Sequence, residues 1–192
     1  MSREKILGNI RKNKPNLHPL PATPHFAAPT NDLLKAFTLV AEGSGTNVRS
    51  TAQATLREIL EKEYPGLERC YSKVADYPSR GLEGINDSDP FSLQDVELAV
   101  FPGRLAVAEN GAVWVSEAEL GMRVSAFIAQ HLALVVPRGD LVWNMHEAYR
   151  QVRIDATGFG AFIAGPSKTA DIEQSLVIGA QAARSLTVVF TD

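Results

Sequence analysis

"FGAFIAGPSKTADIEQSLVIGA", residues 159–180, sets a short apolar run against a small polar loop and then a run with helical spacing. In that order it predicts a strand over 159–164, a loop opening at Gly165-Pro166, and a helix over 170–184. The apolar face of that helix would carry Ile172, Leu176, Val177, Ala180 and Ala183. "LTVVFTD" (186–192) follows as a closing strand. Helices alternating with β-rich runs imply an α/β fold, here three layers, α/β/α.

The same alternation extends upstream. "NDLLKAFTLVAEGSGT" (31–46) reads as a helix capped by Asn31 or Asp32 and stopped by Gly43 or Gly45. Its "GSGT" follows a helical pattern, whereas phosphate loops follow strands, so a helix stop is the better reading. "TNVRS" (46–50) reads as a strand, "TAQATLREILEKEYPG" (51–66) as a helix, and "LERCYSKV" (67–74) as a strand. "SLQDVELAVF" (92–101) reads as a short helix. "RLAVAENGAVWVSE" (104–117) joins two β-rich arms at Asn110-Gly111, a hairpin signal that makes the sheet mixed. "HLALVVPRG" (131–139) reads as a buried strand, and "DLVWNMHEAYRQVR" (140–153) as a helix capped by Asp140. At the other end, residues 2–13 read as a short helix. Residues 14–30 hold five prolines, which deny the backbone its helix donors and imply an extended arm. The expected division is residues 1–30 as helix and arm, and 31–192 as the domain.

Composition narrows the function classes. Apolar residues make up 45% and charged residues 21%, enough for a core that needs neither disulfides nor a structural metal. The net charge of −3 gives no reason to expect nucleic acid or an anionic membrane as partner. No stretch reaches the roughly 18 apolar residues needed to span a bilayer. The N-terminus lacks the apolar centre of a signal peptide, so a cytoplasmic location is expected. The chain has one cysteine, Cys70, which reads as a buried, inert thiol. One cysteine cannot hold an iron–sulfur cluster, and there is no dinucleotide fingerprint, so no cofactor is expected. His18, His25, His131 and His146 show no metal-ligand spacing, and "HEAYR" departs from H-E-x-x-H at Arg150.

Three stretches could carry binding. In "GPSKTADIE" (165–173), backbone N–H groups at a helix start, with Lys168, could hold a phosphate or small carboxylate against Gly165, Ser167, Thr169 and Asp171. On the structural reading Thr169 is the N-cap, and Asp171 and Glu173 settle the positive end of the helix dipole. The Walker spacing is absent. In "AENGA" (108–112), Asn110-Gly111 makes a tight turn with an exposed Glu109. Arg123, in "ELGMRVSAF", could grip a carboxylate in bidentate fashion or be solvated.

"RLAVAENGAVWVSE", followed some fifty residues later by "GPSKTADIEQSLVIGA", resembles the LUD domain family, and within it the lactate utilization protein C type. "REKILGNIRKN" (3–13) fits as well, and the resemblance covers nearly the whole chain. The family usually has Ala-Glu-Thr-Gly-Thr at the turn. It usually has His-Gly-Pro where this chain has Gln181, Ala182 and Ala183. The resemblance implies a fold like that of the glucosamine-6-phosphate deaminase, ribose-5-phosphate isomerase and CoA-transferase group. It also implies a part in oxidising L-lactate to pyruvate beside iron–sulfur partner proteins; with no cluster ligands and no dinucleotide fingerprint in this chain, its own part is expected to be non-redox. The rival reading is a stand-alone enzyme or ligand-binding module of that fold. Glu109, Asn110 and Gly111 are similar to the Glu-Asn-Gly turn of family I CoA-transferases, whose glutamate is the nucleophile. That similarity would make Glu109 catalytic, with Asn110 and Gly111 beside the ligand.

Overall fold

The computed structural model describes residues 2–16, 18–19, 21–22, 24–83, 85–86, 89–152, 158–169 and 177–192. It opens with helix α1 (Arg3–Lys12), helix α2 (Leu33–Gly43), strand β1 (Thr46–Ser50), helix α3 (Leu56–Glu63), and strands β2 (Cys70–Ser72) and β3 (Leu98–Pro102). Strands β4 (Leu105–Val107) and β5 (Ala112–Ser116) follow, then short helices α4 (Glu117–Leu120) and α5 (Ser125–Ile128) and strand β6 (His131–Pro137). Next come β7 (Leu141–Val142), α6 (Met145–Gln151), β8 (Gly160–Ile163), β9 (Lys168–Thr169), β10 (Val177–Ile178) and β11 (Ser185–Thr191).

Five strands form a sheet in the order β1-β11-β6-β3-β2, with every pair parallel. The inner strands are apolar on both faces, as a sheet covered on both sides requires. Successive side chains of β6 go to opposite layers. Leu132, Leu134 and Val136 join Phe37 and Ala41 of α2, while Ala133 and Val135 join Leu56, Ile59 and Leu60 of α3. Helices thus cover both faces of the sheet and the fold is α/β. The antiparallel hairpin belongs to a second, mixed sheet in the order β7-β4-β5-β8. Ala106 and Val113 of that sheet face the main core. Leu105, Val107 and Trp114 face a smaller one under Ala148 of α6.

Local chemistry explains the helix starts. The Asp32 carboxylate accepts from Lys35 N at 3.0 Å and begins α2. Thr55 and Glu58 close a reciprocal capping box on α3, which satisfies two otherwise orphaned donors. After α2 the backbone turns left-handed at Gly45, as the helix-stop reading of "GSGT" requires.

Three sequence-based expectations are corrected. The "SLQDVELAVF" helix is a 3₁₀ turn at Pro90–Leu93 followed by β3. Its apolar run is buried on both sides by pairing with β2 and β6. The helix capped by Asp140 starts later. Leu141 and Val142 pair with β4, and Asn144 is the cap, accepting from Glu147 N at 2.9 Å. Finally, the described part of the helix expected over 170–184 is not helical. Val177 and Ile178 pair antiparallel with Thr169 and Lys168, β-branched residues suit that pairing, and the chain then bends back through 179–184.

Candidate functional site

The "AENGA" turn links β4 to β5. Asn110 Oδ1 accepts from Ala112 N at 3.1 Å, and Gly111 has φ +67. A Cβ on Gly111 would lie 2.9 Å from the Cα of Ala41 in α2, so the turn needs glycine for both conformation and space. Glu109 leans the other way. Its backbone N–H donates to Trp143 O at 2.8 Å, and its carboxylate accepts from Met145 N at 2.8 Å. Met145 is the first residue of α6, so the Glu109 carboxylate satisfies one of that helix's unpaired donors. A cavity of about 400 Å³ sits beside it, lined by Glu109, Phe26, Pro29, Trp143, Asn144 and His146. The proline arm ends here: Phe26 stacks on His146 at 5.0 Å, and its carbonyl accepts from Asn144 Nδ2 at 3.3 Å.

The "GPSK" loop leans on the same C-terminal end of α2. Gly165 and Pro166 are buried, with Gly165 against Ser44 and Pro166 against Gly45. Lys168 Nζ donates to Ser44 O, which places a cation at the negative end of the α2 dipole. Lys168 therefore has a structural partner that its sequence context does not reveal. Ser167 N donates to Ala183 O at 2.8 Å, and Gly179 N donates to Ser167 O at 2.9 Å. Thr169 lies in β9, paired with Val177, and the residues it was expected to cap, 170–176, lie outside the described residues. Asp171 lies outside the described residues. This loop borders a separate cavity of about 320 Å³ with Phe127, Phe162, Ala182 and Ala183. Gly111 and the Ser167–Lys168 loop thus meet the same helix, α2, while Glu109 and that loop face different cavities.

Arg123 stands apart from both. Its guanidinium grips Glu117 with two hydrogen bonds, at 2.8 and 2.9 Å, and lies over the Phe159 ring. Cys70 is buried, and burial pushes its thiol pKa up. That leaves little thiolate at neutral pH.

A polar network at the start of β6 and β11 gave no sequence signal. His131 Nδ1 lies 2.7 Å from Ser185 Oγ. Tyr64 OH lies 3.2 Å from Ser185 Oγ and 2.7 Å from Thr187 Oγ1. Burial and the Arg184 guanidinium hold the His131 pKa below its ordinary value, and Glu97 opposes them. The three contacts join residues 54, 121 and 123 positions apart; the parallel register brings Ser185 to His131, and the packing of α3 on the sheet brings Tyr64 to them.

The family model of the LUD domain matches residues 10–191. The chain belongs to the LUD domain family. This LUD domain is 32% identical over 111 residues to a protein from Shouchella clausii named lactate utilization protein C, covering 53% of this chain and 48% of that relative. The match thus spans about half the relative's own length. A second protein of that name, from Oceanobacillus iheyensis, is 21% identical over 178 residues, covering 88% of this chain and 70% of the relative. The fold is shared with a DUF162 family protein from Deinococcus radiodurans, at a TM-score of 0.65 and 16% identity, covering 84% of this chain and 97% of that one.

Proposed function

We propose that this LUD domain serves L-lactate utilization as a non-redox, cytoplasmic component that works with iron–sulfur partner proteins. The observation that carries the proposal is the match of residues 10–191 to the LUD domain, together with two relatives named lactate utilization protein C. The chain's one cysteine is buried, which supports leaving the clusters to partners. The use of the Glu109 carboxylate as a helix cap supports an assembly or ligand-holding part over covalent catalysis.

The test is growth of the native host on L-lactate as sole carbon source. Deleting the gene should abolish growth, and the wild-type chain should restore it. Glu109→Gln should also restore it, because a glutamine carbonyl can still accept from Met145 N. Undiminished growth of the deletion strain overturns the proposal. Failure of a stably folded Glu109→Gln chain to restore growth favours the rival, a stand-alone enzyme with Glu109 as nucleophile.

A further inference from the structure

β6 and β11 begin side by side, with Ser185 in register with His131. The two ring nitrogens of His131 meet different partners. Nδ1 faces Ser185 Oγ at 2.7 Å. Nε2 faces Arg184, with Nε at 3.4 Å and Nη2 at 3.3 Å. A guanidinium has donors only, so Nε2 must offer its lone pair. The proton then resides on Nδ1 and is donated to Ser185 Oγ. Arg184 is also tied to Gln130, by Nη2 to Oε1 at 2.9 Å and by its backbone N–H to Gln130 O at 2.9 Å. The neutral imidazole is therefore a working part of the contact. A proton on Nε2 would set donor against donor and cation against cation.

Charged and titratable groups face this ring from each neighbouring element. Arg184 comes from the entry to β11. Glu97 comes from the entry to β3, its carboxylate held by the backbone N–H groups of Glu68 and Arg69. Tyr64, at the end of α3, lays its ring 5.0 Å from the imidazole, and the charges of Glu63 and Arg49 act on its hydroxyl. Among these, Arg184 is the group in direct contact with Nε2.

We propose that His131 and Arg184 form a clasp, released by acid, that holds residues 179–184 against the domain. Arg184 packs so closely on Gly179 that a Cβ there would lie 2.4 Å from Arg184 Cβ. Gly179 and Ala183 both bond to the backbone of Ser167. The segment walls two cavities. One, of about 370 Å³, also takes in Phe127 and Gln130; the other is that of the Ser167–Lys168 loop. Releasing Arg184 therefore loosens the loop's surroundings while the parallel sheet stays intact.

The sign follows from linkage. The folded-state pKa of His131 lies below its ordinary 6.5. The contact's stability is fully present above that ordinary value and is lost as pH falls through the lowered one. Between the two, uptake of one proton raises the opening constant about tenfold per pH unit.

The test is hydrogen exchange of the 179–184 segment from neutral pH down to about pH 5, corrected for the intrinsic pH dependence of exchange. In parallel, the His131 ring is titrated by NMR. Exchange of the segment should accelerate on acidification while β6 amides stay protected. In His131→Asn, which keeps an amide donor for Ser185 but cannot titrate, the acceleration should vanish. In Arg184→Met the segment should exchange fast at neutral pH, and His131 should titrate closer to 6.5. A flat wild-type profile overturns the clasp. So do simultaneous loosening of β6, persistence of the response in His131→Asn, and a His131 titration indifferent to Arg184→Met.

Discussion

Two turns lean on the same stretch of α2 and are built on opposite principles. The "AENGA" turn is local: Asn110 closes it on Ala112, and Gly111 supplies the left-handed backbone. The "GPSK" loop is non-local. Its polar groups are satisfied by Ser44, Gly179 and Ala183, which lie far away in sequence or beyond the loop. A local turn can be read from a dipeptide. A non-local one invites a ligand to explain polar residues whose partners are out of sight.

Glycine substitutions give the largest test of this contrast. Gly111→Ala should destabilise the fold by about 3 kcal/mol, through positive φ and a backbone clash with α2 together. Gly165→Ala shares the left-handed φ, at +75, but its Cβ meets a carbonyl and a side chain of Ser44 where that of Gly111 meets the helix backbone of Ala41 more tightly, and it should cost about 2 kcal/mol. Both are read as a shift in urea midpoint at constant slope. Equal losses would mean that the local turn has no special constraint.

The carboxylate comes next. Glu109→Ala should cost about 1 kcal/mol, the usual scale for a lost helix cap, and should increase amide exchange at Met145. No change at that amide would return Glu109 to the role of an unengaged side chain. The smallest effect belongs to the lysine. Lys168→Ala should cost about 0.5 kcal/mol and less at high salt, as expected for an exposed cation at a helix C-terminus. A loss of lactate-dependent growth in a stably folded Lys168→Ala chain would show that the loop does more than hold α2.

Much of the fold was legible because its signals are local. The cap at Asn31 or Asp32, the Asn110-Gly111 hairpin and the buried β6 all declare themselves within a few residues. The segment around Val177 and Ile178 did not. Its spacing fits a helix, yet its described residues pair with Lys168 and Thr169, and tertiary pairing overrides a weak helical period. The start of β3 was misread for a related reason, since an apolar run flanked by acids fits a helix face as well as a buried strand. The candidate site was least legible. The partners of Lys168, Glu109 and His131 are fixed by register and packing, which no spacing encodes.

The strand order has a consequence for synthesis. β11, residues 185–191, is wedged between β1 and β6, and Leu186 pairs with Thr46, far away in sequence on the neighbouring strand. A growing chain can form α2, α3 and the hairpin early, but β1 has no neighbour until residue 191 has emerged. Until then β1 and one side of β6 are open edges, the kind that other chains add to. Nascent LUD domains should therefore lean on chaperones late. A truncation that removes β11 should yield aggregate, with no smaller folded domain left behind.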